Sequence, residues 1–427
     1  MTELKLAGVG SDTPVRRPID WRAPITLSVV AVLGFVVFGL LGRDQTVTFS
    51  WASRGVPTFI PDWVANSQVV GFATGVLMLV IAVYATWLAV QRRRVPGWFV
   101  AIFALSFLVA LLGWVGAGDR VPFVYLLTGA IAFSVPVVLG ALAGVLGERV
   151  GVVNIAIEGQ LLMGACMAAF VGTLTNNLLL GLSAAVISGA LVGMVLAVFA
   201  VRYAVEQIIV GVVVNVLVAG VTSFLYTTLM TRDEARYNNP GTLPFIKIPF
   251  LSEIPVFGPV LFNQRITTYL MFILIPLIAI ALSKTRWGLR LRAVGEHPLA
   301  ADTVGINVPR TRFWVVTGAG LLAGLGGAAM SIGSVGSFVR DMSAGQGYIA
   351  LACVILGRWN PWAATAAALL FGFSKQFGVW AGQSGSGIPS DLIAMIPYIV
   401  TLIAVGGFVG RSVAPAAVGK AYTKAEG

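Results

Sequence analysis

The chain has 427 residues, of which 58% are hydrophobic and 11% are charged, and its mean hydropathy is +0.91. Soluble domains carry about 25% charged residues, so this composition excludes an ordinary soluble protein and predicts an all-α fold, that of a polytopic helical membrane protein. The formal net charge of +11 does not indicate nucleic-acid binding, because the basic residues lie at the ends of apolar segments and in loops, where membrane topology places them.

Apolar runs recur along the chain and predict about twelve transmembrane helices. The predicted spans are residues 24–41, 68–90, 97–117, 121–146, 152–172, 178–201, 207–230, 266–283, 313–333, 347–356, 361–380 and 391–410. The run 347–356 is short for a complete crossing. An even number of spans places both termini on one side of the membrane, and the basic residues near the N-terminus mark that side as the cytoplasm.

The predicted spans divide the chain into four parts. Residues 1–23 form a cytoplasmic tail, residues 24–117 an N-terminal extension of about three helices, residues 118–410 a core, and residues 411–427 a second cytoplasmic tail. Within the core, residues 231–265 are rich in proline and are predicted to form an irregular outer segment.

Glycine pairs four residues apart lie inside three of the predicted spans and are typical of close helix packing. The pairs are Gly140 and Gly144, Gly189 and Gly193, and Gly320 and Gly324. The chain has 50 glycines, so each pair by itself indicates little. The G-A-G run at 318–320 loosely matches a dinucleotide-binding pattern, but no strand precedes it, so we interpret it as helix packing.

The common cofactor and catalytic motifs are absent from the sequence. No GxxxxGK[ST] loop is present, so the chain cannot bind ATP by that device, and no HExxH or GxSxG motif supports a membrane enzyme. The two cysteines, Cys166 and Cys353, and the single histidine, His297, form no metal-ligand pattern. We therefore predict no catalytic residue, no metal site and no cofactor bound by this chain.

Few polar side chains lie inside the predicted spans, and the candidates for a solute pathway are Asn154, Glu158, Gln160 and Asn215. Asn154 and Glu158 are predicted to share one helical face, whereas Gln160 points elsewhere unless Gly159 breaks the helix. A carboxylate within a span must face protein or water. Glu158 is therefore either part of a polar pathway wall or a structural carboxylate that accepts hydrogen bonds from free backbone amides near the broken start of the helix.

On the basic side of the predicted topology, the longest clearly polar stretch is residues 284–312. Within it, Pro298 suits the first position of a helix and Gly305 suits the residue just past its end, so residues 298–304 are predicted to form one short helix. A short, capped helix outside the membrane offers a surface to a partner protein. The alternative interpretation is an ordinary basic cytoplasmic loop.

Two motifs carry a resemblance to a known family: GERVGVVNIAIEGQLLMGA (147–165) and WGLRLRAVGEHPLAADTVGINV (287–308). Together they resemble the permease subunits of ABC importers for branched-chain amino acids, simple sugars and nucleosides, over about residues 121–410. The Glu-Gly-Gln ending of the first motif is most similar to nucleoside-type members. The resemblance implies a type II ABC importer-like permease core, and the N-terminal extension lies outside it.

The resemblance also implies a place in the cell and a set of partners. It implies a multi-pass protein of the cytoplasmic (inner or plasma) membrane that works with an ABC ATPase, a second permease subunit and an external or periplasmic substrate-binding lipoprotein. The ATPase would bind ATP and Mg, the second permease would be identical or related, and the remaining contacts would be membrane lipid and a small-molecule solute, with no nucleic acid.

In that family, the loop matching residues 288–307 contains a coupling helix that contacts the ATPase. The candidate coupling residues are Gly288, Arg290, Arg292, Gly295, Glu296, Pro298, Ala300, Ala301, Asp302 and Gly305. Ala300 and Ala301 are small enough for a partner to approach closely, and Asp302 can meet a basic group on that partner.

Other functions remain as alternatives. The same type of importer could carry a simple sugar or a branched-chain amino acid. An ion-coupled secondary transporter would need intramembrane acids that bind and release H⁺ or Na⁺, and only Glu158 qualifies. A membrane enzyme would need a nucleophile and base or a metal site, which the sequence lacks.

Overall fold

The computed structural model describes residues 21–52, 60–93, 95–384, 395 and 413–422. The predicted N-terminal tail therefore lies outside the described residues up to position 20. The predicted last span, 391–410, lies outside them except for residue 395. Of the predicted C-terminal tail, only residues 413–422 are described.

Helices account for most of the described chain. They are α1 Arg22–Gly34, α2 Ser67–Val90, α3 Gly97–Val115, α4 Phe123–Arg149, α5 Ile157–Thr175, α6 Leu178–Ala197, α7 Gln207–Leu225, α8 Glu234–Tyr237, α9 Phe257–Leu261, α10 Ile266–Lys284, α11 Arg286–Glu296, α12 Pro298–Thr303, α13 Val308–Met330, α14 Gln346–Leu356 and α15 Pro361–Gln383. Short π-helical segments extend α1, α6, α7 and α13 at their C-terminal ends.

Short strands, which the sequence did not predict, lie between the helices. They are β1 Thr46–Ser50, β2 Trp63–Asn66, β3 Arg120–Pro122, β4 Phe245–Lys247 and β5 Asn263–Arg265. The first three form a sheet in the order β2-β1-β3, and β4 pairs antiparallel with β5. The prediction that residues 231–265 are irregular is wrong, because this hairpin and the short helices α8 and α9 organise them.

Nine helices within the described residues are long and apolar enough to cross a membrane, which confirms the helical membrane class. They correspond to the first nine predicted spans. The predicted number of twelve is not confirmed: α14 has only 11 residues, and the last predicted span lies almost wholly outside the described residues. Helix α15 has 23 residues but is not among the nine, since polar residues such as Lys375 and Gln376 interrupt it.

The chain separates into two compact units. The first comprises residues 1–48 and 64–121, and in it α1, α2 and α3 pack through apolar residues such as Leu27, Met78 and Phe103. The second comprises residues 49–63 and 122–427 and contains the larger core.

In the second unit, α4 and α13 are buried along most of their length, and α13 packs closely against α6. Glycines allow this approach, because a Cβ at Gly189 would collide with the carbonyl oxygen of Gly320, and a Cβ at Gly324 with that of Ala185. The predicted close packing at these glycines is confirmed, and the structure shows that the α6 and α13 glycines face one another.

Candidate functional site

The segment ahead of α5 is not helical, although the sequence predicted a continuous span there. After α4 ends, Gly151 takes a φ of +85°, a conformation that glycine adopts readily. Residues 151–156 then continue outside any helix, and α5 begins only at Ile157. Asn154 therefore precedes the helix, and the prediction that it shares a helical face with Glu158 is wrong.

The carboxylate of Glu158 binds the start of a different helix. One oxygen accepts a hydrogen bond from the backbone N–H of Gly345 at 2.8 Å, and the other from that of Gly347 at 2.6 Å. These N–H groups lie at the start of α14, where helix geometry leaves amides without partners and where the helix dipole favours a negative charge. Glu158 thus joins the first turn of α5 to the first turn of α14.

This geometry resembles the structural alternative for Glu158, with the difference that the free amides belong to α14 and not to its own helix. The side chain is half-buried, so it is not sealed from solvent. A Cβ at Gly347 would collide with the backbone nitrogen of Glu158, so the close approach of the two helix starts needs a glycine at this position.

Asn215, on α7, holds the same region from another side. Its side-chain oxygen accepts a hydrogen bond from the N–H of Gly159 at 2.8 Å. Its amide nitrogen donates to the carbonyl of Ile155 at 2.9 Å and to the hydroxyl of Tyr348 at 3.2 Å. Asn215 therefore provides partners for backbone groups that the late start of α5 leaves outside helical hydrogen bonding.

Asn154 and Gln160 form a reciprocal pair of side-chain amides. The Asn154 nitrogen donates to the Gln160 oxygen at 3.2 Å, and the Gln160 nitrogen donates to the Asn154 oxygen at 3.3 Å. Both side chains are fully buried. Gln160 points back toward the non-helical segment, and neither residue lines open space in this conformation.

Three residues of this region were not predicted from the sequence: Tyr348, Gln207 and Gln346. Gln207 accepts a hydrogen bond from the N–H of Val153 at 2.8 Å and so fixes the non-helical segment to the start of α7. Gln346 lies between the two glycines that bind Glu158, and its side-chain oxygen is buried without a hydrogen-bond partner. The available signal was the run GQGY at 345–348, in which glycines flank a polar residue just ahead of an apolar helix.

A second candidate surface lies in the predicted coupling stretch. The short helix is confirmed as α12, Pro298–Thr303, and Gly305 has the expected positive φ, +84°. One face of α12 is open: Leu299 is 62% exposed, Val304 just beyond the helix is 74% exposed, and Ala300 is exposed beside Leu299. Leu299 and Val304 were not among the residues predicted from the sequence.

The candidate coupling residues do not all reach this surface. Arg290, Arg292, Glu296, Ala300 and Gly305 are exposed, and Pro298 and Asp302 are half-buried. Three are buried within the chain: Gly288, Gly295 and Ala301.

The three buried residues serve packing within the chain. Ala301 is only 2% exposed, so the expectation that it receives a partner is wrong. A Cβ at Gly288 would collide with the carbonyl of Ala281, and one at Gly295 with the carbonyl of Arg149. These glycines therefore allow α11 to lie against the ends of α10 and α4.

The family described as "Branched-chain amino acid transport system / permease component" matches residues 126–405, which lie within the second compact unit. No solved structure matches the chain.

Two relatives match over almost their whole length. The chain is 37% identical over 303 residues to the guanosine ABC transporter permease protein NupQ of Bacillus subtilis (strain 168). This alignment covers 69% of the chain and 95% of NupQ. The chain is 35% identical over 305 residues to the nucleoside ABC transporter permease protein NupC of Lactococcus lactis subsp. cremoris (strain MG1363), covering 69% and 96%.

A third relative is the putative glucose ABC transporter permease protein TsgC13 of Haloferax volcanii. It is 30% identical over 247 residues, which is 58% of this chain and 74% of that protein. The match of the family to residues 126–405 and the extent of these alignments establish that the chain is a member of the family of branched-chain amino acid transport system permease components.

Proposed function

We propose that the chain is the permease subunit of an ATP-driven ABC importer of nucleosides. The observation that carries the substrate class is the identity of 37% and 35% with two relatives named for guanosine and nucleoside transport, over 95% and 96% of their lengths. The chain lacks a GxxxxGK[ST] loop, so a partner ATPase binds ATP and Mg and hydrolyses the nucleotide.

The partner ATPase docks on α12. Support comes from the exposed apolar pair Leu299 and Val304, which flank the small exposed Ala300 on an element outside the nine candidate spans. Apolar side chains exposed together commonly mark a protein interface, because burial against a partner removes them from water. The exposed Arg290 and Arg292 lie on α11, the helix that precedes α12 along the chain, and make this stretch basic.

The polar cluster at the start of α5 lies along the solute pathway. Asn154 and Gln160 pair at the start of α5, Glu158 joins that start to the start of α14, and Asn215 joins it to the middle of α7. Both α5 and α14 begin after non-helical segments. Transporters commonly place solute sites at such interrupted helices, where backbone groups face a cavity. In this proposal Glu158 and Asn215 keep the helix starts together while the path opens and closes.

The remaining partners are a second permease subunit, identical or related, and an external substrate-binding lipoprotein. The relatives' names describe ABC transporter permeases, and such subunits work in assemblies. The complex resides in the cytoplasmic membrane, with both termini and residues 284–312 in the cytoplasm, as the distribution of basic residues supports.

We expect a strain that lacks this chain to lose uptake of radiolabelled guanosine and other nucleosides, and a plasmid copy to restore it. Glucose and leucine uptake should be unchanged, and an excess of either should not compete with guanosine. The test strain should also lack other nucleoside carriers, so that the signal reports this complex. Normal guanosine uptake without the chain, together with lost glucose or leucine uptake, would move the substrate assignment to the sugar or amino acid class.

We expect a cysteine at position 247 to react with a membrane-impermeant maleimide in intact cells, and a cysteine at position 297 to react only after permeabilisation. Lys247 and His297 are both exposed, so access is limited by the membrane alone. The native Cys166 and Cys353 are fully buried and give little background. Labelling at 297 in intact cells with none at 247 would reverse the proposed topology.

A further inference from the structure

Residues 413–422, which we call the C-terminal strap, bind three separate elements of the second unit. The N–H of Ala417 donates to the carbonyl of Gly295 at 2.9 Å, and the N–H of Ala416 donates to the carboxylate of Glu296 at 3.2 Å. Both acceptors lie at the end of α11, immediately before α12. The strap therefore holds the corner that leads into the exposed face of α12.

The strap also binds the segment that precedes α5. The N–H of Gly419 donates to the carbonyl of Gly151 at 3.2 Å. From Gly151 the chain runs through Val153, which Gln207 holds, to the buried Asn154. The strap thus touches the same non-helical segment that sets where α5 begins.

The third contact is with α13. The guanidinium of Arg312 donates to the carbonyl of Lys420 at 2.9 Å, and this arginine is only 2% exposed. A Cβ at Gly151 would lie 2.7 Å from a terminal nitrogen of Arg312 and 2.9 Å from the carbonyl oxygen of Ala417. These three groups pack so closely that only a glycine fits at position 151.

Parts of the strap are buried against the second unit. Holding a segment without regular secondary structure in one conformation needs specific contacts, because ordering each residue costs conformational entropy. Here Ala417 is buried and the ring of Tyr422 packs against the core. The strap joins the α11–α12 corner, the segment ahead of α5 and the first turns of α13. None of these hydrogen bonds is made to a side chain of the polar cluster at the start of α5.

We propose that the C-terminal strap is a positioning element for coupling: it makes the α11–α12 corner, residues 151–156 and the start of α13 move as one body, so that displacement of α12 by the ATPase reaches the start of α5. The proposal rests on the proposed function, in which α12 contacts the ATPase. Arg312, Gly151 and Ala417 act through α12 and α5 and do not touch the solute or the nucleotide.

The test measures solute transported per ATP hydrolysed, a ratio that a purely stabilising strap would leave unchanged. The complete complex, with its ATPase and binding protein, is reconstituted in proteoliposomes with radiolabelled guanosine. Two variants disturb the strap: deletion of residues 413–427, and Gly151→Ala, which inserts a methyl group between Arg312 and Ala417. The matched control is Gly241→Ala, since Gly241 has a similar φ of +76° but open space where its Cβ would lie.

We expect both strap variants to hydrolyse ATP at a rate within about twofold of the unmodified complex, while guanosine transported per ATP falls about tenfold, within the about 5- to 150-fold range of typical coupling between sites. Gly241→Ala should keep the ratio. An unchanged ratio in both strap variants overturns the strap proposal alone, as does a loss of uptake that only parallels a loss of assembled complex. Absence of ATP-driven guanosine uptake by the unmodified complex overturns the proposed function, and the strap proposal with it.

Discussion

Replacing Ala300 with arginine is expected to abolish solute uptake and the co-purification of the ATPase, while the permease accumulates in the membrane at a near-normal level. Ala300 is exposed on α12 beside Leu299, so an arginine there places a long, charged side chain on the face that we assign to the partner. It also adds positive charge to a stretch that already carries Arg290 and Arg292 on the preceding helix α11. Disruption at the centre of an interface commonly costs about 2–4 kcal/mol, an about 30- to 1,000-fold weaker complex.

The matched control for this substitution is Ala235→Arg. Ala235 is also exposed on a short helix, α8, but lies on the opposite side of the proposed topology. It should leave uptake and ATPase binding intact. Leu299→Ala should weaken ATPase binding by a smaller factor, because it removes apolar contact without adding a clash. Retention of the ATPase by Ala300→Arg at the unmodified yield would show that α12 is not the docking element.

Replacing Glu158 with alanine is expected to reduce transport more than it reduces the amount of folded permease. The change removes the acceptors of the Gly345 and Gly347 amides. Gly347 is buried and Gly345 half-buried, and an unsatisfied buried donor costs about 1–3 kcal/mol. The change also releases the first turn of α14 from that of α5. Glu158→Gln should have an intermediate effect, because an NH2 group, which donates and cannot accept, replaces one of the two carboxylate oxygens that face the Gly345 and Gly347 amides.

Glu206→Ala provides the matched control. Both oxygens of Glu206 accept hydrogen bonds from the N–H groups of Ile208 and Ile209, at 3.1 and 2.9 Å, so it caps a helix start just as Glu158 does. Glu206 caps its own helix, α7, and does not join two helices. Uptake per folded molecule should therefore fall for Glu158→Ala and stay near normal for Glu206→Ala. Equal losses of abundance in the two variants, with normal specific uptake in both, would reduce Glu158 to a stabilising cap.

Local sequence signals predicted the elements that depend on near neighbours along the chain. Uninterrupted apolar runs predicted nine helices that the structure contains, because a backbone in lipid must satisfy its own hydrogen bonds. Pro298 and Gly305 predicted α12, because one residue lacks an N–H and the other tolerates positive φ. The small residues at positions 189 and 320 predicted close packing, although not which helices would meet.

The errors arise where distant residues supply the hydrogen bonds. The apolar run predicted a regular helix from residue 152. In the structure, Gln207 and Asn215 on α7 instead provide hydrogen-bond partners for the backbone of the non-helical segment and for the first turn of α5. Once those partners are present, α5 can begin later, and Asn154 pairs with Gln160. No local pattern contains this information, because Gln207 and Asn215 each lie more than 50 positions along the chain from the backbone groups that they bind.

By itself, the sequence determined that this protein is a helical membrane protein, where most of its spans lie, and that a short capped helix stands between two of them; its motifs also indicated the permease family. Only the tertiary structure decided that Ala301 faces inward while Leu299 and Val304 face outward, that Glu158 binds α14, and that the C-terminal strap lies on Gly295 and Gly151. The physical reason is that helix formation and capping depend on neighbours within a few positions, whereas burial and pairing depend on which distant surfaces the fold brings into contact.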